Sequence, residues 1–172
     1  MSTLALATQR WRIMPWIAAL SLLIAPAVAM QLTHEMQWSA GDFALMAALL
    51  ALVCGGFELA MRLSANWSYR LACVIALGGA FLMVWANLAV GIIGNPDNPA
   101  NTVFFGVLAV GLSGALIARF RSSGMARAML AMAVAQALAA LVEPHGFVLF
   151  FTAVYLALWL AAAFLFGKAA RL

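Results

Sequence analysis

The sequence predicts an all-α membrane protein built as a single bundle of six transmembrane helices with short loops. Hydrophobic residues make up 67% of the 172-residue chain and charged residues only 8%, whereas a soluble domain carries about 25% charged residues. The apolar residues fall into six runs close to the length of about twenty residues that a helix needs to cross a bilayer. The connections are too short to fold by themselves, so residues 1–172 are expected to form one domain.

The six spans are expected to be helices, because an unpaired backbone is too costly in lipid and alternating strand patterns do not occur. They cover approximately residues 13–30, 43–61, 71–93, 103–118, 125–142 and 147–166. The fourth and fifth runs are the shortest, so we expect them to thin the bilayer or to be sheltered by neighbouring helices. Short connections also predict that consecutive helices pack antiparallel as neighbours.

The basic residues predict the orientation of the bundle. All nine Lys and Arg residues lie before the first span, after the sixth, or in and directly beside the connections after the second and fourth. The other three connections hold four of the five acids. Because basic residues resist translocation, their side is the cytoplasmic one. We therefore expect a multi-pass protein of the bacterial inner membrane with both termini in the cytoplasm, its basic residues serving orientation and not nucleic-acid binding.

The first span also has the form of a secretory signal. Two arginines precede an apolar run that ends in the small-x-small triplet at residues 27–29. Cleavage after Ala29 would leave five spans and an outer N-terminus. Retention is the preferred interpretation, because Trp11 and Trp16 lie at the inner boundary, where amphipathic rings prefer to be.

The connections carry turn and cap signals. Asp42 stands directly before the second span as its expected N-cap. Gly94 is expected to end the third helix, and Asn98 or Asn101 to cap the fourth. Residues 95–101 are therefore predicted to form an ordered outer hairpin.

Polar side chains inside the spans are the candidates for a binding site. Asn87, Gln136 and Thr152 lie near the outer ends of the third, fifth and sixth spans, and Tyr155 lies one turn deeper. At a rise of 1.5 Å per residue they share a depth of about 8–10 Å below the outer surface. They are predicted to line one outward-facing polar pocket, or else to form interhelical hydrogen bonds. In either case we expect Asn87 to be buried, with Gln136 or Thr152 as its partner.

Glu58 is the one acid inside a span, one turn from its inner end. Arg62 follows four residues later, which is the favoured order for a helical ion pair, and its stem is long enough to reach. We prefer this pair as an interfacial anchor. In the alternative, Arg62 extends to the headgroups and Glu58 binds a proton or a cation, since carboxylates inside membranes are costly and usually functional.

No cofactor, metal or enzymatic activity is expected. Cys54 and Cys73 lie within spans without metal-binding spacing, so they are predicted to be free thiols that pack as small hydrophobes. Met30, His34 and Met36 would suit Cu(I), but a chain with ten methionines places some of them near a histidine by chance. The sequence contains no phosphate loop, no Ser/His/Asp set and no HExxH motif.

The middle third of the chain contains three distinctive segments. They are the W-x-N-L-A-V-G-I-I-G-x-x-x-N-P-A-N run at residues 85–101, F-G-V-L-A-V-G at 105–111, and A-R-F-R followed by G-M-A-R at 118–127. In these segments the chain resembles a family of small, uncharacterised bacterial inner-membrane proteins. The resemblance implies a multi-span bundle without an established activity, and it implies that the region from Asn87 to Asn101 matters.

Two functional hypotheses follow. The first is a solute or ion permease whose pocket is formed by the outer polar residues. The second is a non-catalytic membrane subunit that packs against a second copy or a partner protein through the small residues that crowd the fourth and fifth spans. A water-accessible cavity shared by Asn87, Gln136 and Thr152 would favour transport, and dry contacts would favour the structural role.

Overall fold

The computed structural model describes residues 3–33 and 37–171, with side chains from Ile13 onward. These residues contain helices and no strand, which confirms the all-α class. The helices are α1 (Thr3–Leu32), α2 (Ala40–Leu63), α3 (Trp67–Ala89), α4 (Thr102–Ile117), α5 (Ser122–Ala139) and α6 (Gly146–Ala169), with a 3₁₀ turn at Pro99–Asn101. Contacts divide the chain into two compact units, Met1–Leu59 and Ala60–Leu172.

Within the described residues, five helical segments are long and apolar enough to cross a membrane, so the chain has the character of a multi-pass membrane protein. They are Ile13–Leu32, Ala40–Leu63, Trp67–Ala89, Pro99–Ile117 and Gly146–Ala169. The helix outside this set is α5, whose mean hydropathy is lowered by Arg127 and Gln136.

In the first unit, α2 buries Met46, Leu50 and Cys54, which recur every four residues along one helix face. The Cys54 thiol lies 3.5 Å from the carbonyl oxygen of Pro15 and so contacts α1. Both Cys54 and Cys73 are buried and free, as predicted.

The start of α2 corrects the predicted cap. The helix begins at Ala40, and Ser39 Oγ accepts a hydrogen bond from the Asp42 amide at 3.2 Å. In return Asp42 Oδ2 accepts from the Ser39 amide at 2.7 Å. Ser39 is therefore the N-cap and Asp42 the third helical residue, because the two form a reciprocal capping box.

In the second unit, α5 packs between α4 and α6, and α6 packs against α3. Two pairs joined by short turns, α4 with α5 and α5 with α6, are adjacent, as predicted, but α3 and α4 touch only slightly. The connection that follows Ala89 is long enough to carry the chain away from α3, so α6 takes the place beside α3 that the rule of consecutive neighbours assigned to α4.

The approach of α4 to α5 depends on small residues. A methyl group added at Gly111 would overlap the Met132 thioether, and one added at Gly114 would stand 2.6 Å from the Ala128 Cβ. These glycines are thus used for packing inside the unit, as small residues generally are between membrane helices. At Gly106, by contrast, no atom of the described residues outside the local helix backbone lies within 4 Å of the position of an added Cβ.

Candidate functional site

The connection after α3 folds around the side chain of Asn101, which is only 3% exposed. Its Oδ1 accepts hydrogen bonds from the amides of Ile92 at 3.0 Å and Ile93 at 2.8 Å. Its Nδ2 donates to the carbonyl oxygens of Asn95 at 2.7 Å and Ile93 at 3.3 Å. One amide side chain therefore satisfies several buried backbone groups of a non-helical segment, which would otherwise be costly at membrane depth.

Two glycines allow this path. Gly91 has φ +78°, and a Cβ there would stand 2.5 Å from the Asn95 carbonyl oxygen. Gly94 also has positive φ, +70°. The third helix consequently ends at Ala89, not at residue 93, and Gly91 rather than Gly94 makes the turn out of it. Ile92 and Ile93, which the prediction placed on the helix, return instead into the hydrophobic core.

The rest of the hairpin is ordered by short-range bonds, as predicted. Asn98 Oδ1 accepts from the Ala100 amide at 3.0 Å and caps the 3₁₀ turn. Thr102 Oγ1 donates to the Pro99 carbonyl at 2.7 Å. Asn101 does not cap α4 through its side chain, because that side chain holds the preceding loop.

Asn87 ties this hairpin to α3. It is buried, as predicted, and its Nδ2 donates to the Asn101 carbonyl oxygen at 3.0 Å. The prediction that Asn87 bonds to Gln136 or Thr152 is wrong. The hairpin folds back to the end of α3 and brings Asn101 to Asn87, an approach that counting depth along straight helices does not include.

Gln136 and Thr152 instead bond to each other, linking α5 to α6. Gln136 Nε2 donates to Thr152 Oγ1 at 3.4 Å, and both side chains are buried. Gln136 Oε1 has no hydrogen-bond partner within the described part of the chain. The predicted set is thus divided: Asn87 pairs with Asn101, which lay outside the set, and Gln136 pairs with Thr152.

Tyr155 belongs to an aromatic row on the same face of α6 as Thr152. Its ring centroid lies 4.3 Å from that of Phe151 and 5.6 Å from that of Trp159. Trp159 is fully buried and packs on Gly79 of α3, where an added Cβ would stand 3.0 Å from the indole. Its Nε1 also finds no partner among the described residues.

Glu58 is half-buried on α2, and Arg62, one turn later, is exposed. These degrees of burial fit a helix end near a boundary of the membrane. Both functional interpretations of Glu58, the ion pair and the proton or cation site, stay predictions.

Of the three residues that would suit Cu(I), His34 and Met36 lie outside the described residues. Within the described residues, no group of three or more His, Cys, Asp or Glu side chains could hold a metal ion.

Sequence reasoning missed the roles of Asn101 and Trp159. For Asn101 the available signal was the apolar Ile92-Ile93 dipeptide between two glycines, because a buried backbone outside a helix needs a polar side chain as its hydrogen-bond partner. For Trp159 it was the seven-residue spacing from Thr152, which places both on one face of α6.

These side chains can donate and accept hydrogen bonds, but Asn87, Asn101, Gln136 and Thr152 carry neither a charge nor an activated nucleophile. Compared with protein-family profiles, curated proteins and solved structures, the chain matches none. The resemblance of residues 85–127 to uncharacterised bacterial membrane proteins therefore stays a prediction.

Proposed function

We propose that this chain is a six-span protein of the bacterial inner membrane with both termini in the cytoplasm. The one-sided distribution of the basic residues supports this orientation. The sixth crossing is α5, which its packing between α4 and α6 supports. That packing shelters Gln136 from lipid, and the bond to Thr152 reduces the cost of its amide.

Within the membrane we assign the protein a non-catalytic, structural role as a subunit that packs against a partner. The observation that carries this proposal is the use of the polar side chains inside the bundle. Asn87 is bound to Asn101, Gln136 is bound to Thr152, and none of the four is more than 5% exposed. Such bonds contribute about 0.6–2 kcal/mol each to the stability of membrane bundles. Because the four side chains are bonded in pairs and buried, they form structural contacts and do not line an open pocket.

The partner face is proposed to include Gly106 on α4. Residues of α5 fill the space beside Gly111 and Gly114, whereas the space beside the Gly106 backbone is open. Close approach of a helix from another chain is favoured where a small residue leaves the backbone accessible.

Disulfide crosslinking in native membranes tests this face. In a background with Cys54 and Cys73 replaced by alanine, Gly106→Cys should give a discrete adduct. Leu112→Cys is the matched control, because Leu112 is 64% exposed on a different face of the same helix. Equal adducts from both positions would indicate random collision and would remove the support for a partner at Gly106.

A permease is the second candidate, favoured by two unpartnered polar atoms. Gln136 Oε1 and Trp159 Nε1 are buried at the contacts of α6 with α5 and α3. Leaving such groups unsatisfied costs about 1–3 kcal/mol each, so a hydrogen-bonding solute would gain by reaching them.

Proteoliposome swelling with small uncharged polar solutes separates the two candidates. The structural role predicts no flux above that of empty liposomes. Flux through the wild-type protein that is abolished in a folded Gln136→Leu variant would establish the permease and overturn the structural proposal.

A further inference from the structure

Three elements meet at the inner end of the second unit. The Tyr69 hydroxyl, at the start of α3, donates a hydrogen bond to the Phe120 carbonyl oxygen at 2.8 Å. The Tyr69 ring also lies 5.2 Å from the ring of Phe166, near the end of α6. The start of α3, the α4–α5 turn and the last turns of α6 are therefore neighbours.

The α4–α5 turn has an unusual backbone. Arg119 and Phe120 both have positive φ, 50° and 59°, a conformation that is unfavourable for residues other than glycine. Phe120 packs against the core, and its amide donates to the Ala115 carbonyl at 3.1 Å. With Phe120 held inward, Arg119 and Arg121 on either side of it are exposed.

These arginines belong to a larger set of exposed cations, which we name the inner basic face. Its members are Arg119, Arg121, Arg127, Lys168 and Arg171. Arg70 differs from them, because it is half-buried and its guanidinium donates to the carbonyl oxygens of Ser64 at 2.8 Å and Met61 at 3.2 Å. Arg127 Nε also donates to a carbonyl oxygen, that of Ser123 at 3.4 Å, but the Arg127 side chain stays exposed. The two acids of residues 60–171, Asp97 and Glu143, follow α3 and α5 and so lie beyond the other ends of the helices.

Exposed apolar side chains border this face. Trp67, at the first position of α3, is 74% exposed, and Ile117, at the end of α4, is 84% exposed. An indole at the end of a membrane-length helix is typical of the headgroup zone. Cations beside apolar groups at this depth fit a ligand that carries both a phosphate and acyl chains.

We propose that the inner basic face binds the headgroup phosphate of an anionic phospholipid. Guanidinium groups bind phosphate through paired, charge-assisted hydrogen bonds, and the strained turn presents two of them on one short segment. A lipid is favoured over a free phosphate ion because Trp67 and Ile117 supply an apolar border that a free ion would not use. This inference uses only the membrane character of the chain and goes beyond the structural role proposed above.

Native mass spectrometry of the purified protein tests the lipid preference, with phosphatidylglycerol and phosphatidylcholine supplied in equal amounts. The wild type should retain the anionic lipid in preference, and R119Q/R121Q/K168Q should lose that preference by about fivefold for each charge removed. The matched control is D97N/E143Q, which changes charge at the opposite helix ends and should keep the wild-type preference.

A folded triple variant that keeps the wild-type preference would overturn the proposal. Equal protection against thermal unfolding by inorganic phosphate and by phosphatidylglycerol would also overturn it, in favour of a free-anion site. If the triple variant does not fold, K168Q/R171Q, at the end of α6, provides the test and should lose the preference about 25-fold, a factor of about five for each of the two charges removed. Solute flux or missing crosslinks would overturn the structural role without changing this lipid preference.

Discussion

Replacing Asn101 by alanine should be the most destabilising single polar substitution in the second unit. The change removes all four side-chain hydrogen bonds to the backbone of residues 92–95. Two buried amides, those of Ile92 and Ile93, then lose their acceptor. At about 1–3 kcal/mol for each unsatisfied buried group, the expected loss is about 2–6 kcal/mol of unfolding free energy.

The measurement is reversible unfolding of the detergent-solubilised protein, followed by circular dichroism. Asn95→Ala is the matched control, because the Asn95 side chain is exposed and accepts one bond, from the Asp97 amide at 3.0 Å. That control should cost less than about 1 kcal/mol. An Asn101→Ala variant as stable as Asn95→Ala would refute the reasoning.

Four further predictions concern other parts of the chain. Gly91→Ala should lower thermal stability more than Gly94→Ala, because a Cβ at Gly91 meets the Asn95 backbone, whereas the nearest atom at Gly94 is 3.5 Å away; matching melting curves would contradict this. Asn87→Leu should reduce stability by about 1–3 kcal/mol, since it leaves the Asn101 carbonyl without this donor; an unchanged unfolding free energy would show the bond to be unimportant. A periplasm-active reporter fused after Leu172 should give no signal, and a strong signal would reverse the proposed topology. Glu58→Gln should cost less than about 1 kcal/mol if the residue is an interfacial anchor, whereas loss of a pH-dependent flux with folding intact would make it a proton site.

The polar residues inside the predicted spans show how far sequence reasoning could go. Hydropathy and the helical rise placed Asn87, Gln136 and Thr152 at similar depths, and all three are buried. Depth alone does not determine rotation about the helix axis or the path of a connection. Because the connection brings Asn101 back to α3, the Asn87 side-chain amide donates its hydrogen bond to the Asn101 carbonyl oxygen. Gln136 pairs with Thr152 instead.

The start of α2 and the end of α3 show the same limit of sequence reasoning. The sequence contained the right residue types at both corrected positions, a polar cap before α2 and a glycine after α3. Ser39 and Asp42 share the cap, and Gly91 makes the turn, for reasons of local geometry that involve partners several residues away. The choice between Gly91 and Gly94 depended on where Asn95 and Asn101 lie in the folded hairpin.

The sequence by itself determined the properties that depend on hydrophobicity and charge added up residue by residue along the chain. Apolar run length and charge bias predicted an all-α membrane protein and an orientation, because transfer into lipid depends mainly on composition within each span. Tertiary structure decided the properties that depend on partners. It placed α6 rather than α4 against α3, and it placed α4 close to α5 through Gly111 and Gly114. Contacts of this kind depend on shape and on the route of the chain between helices, which no local pattern encodes.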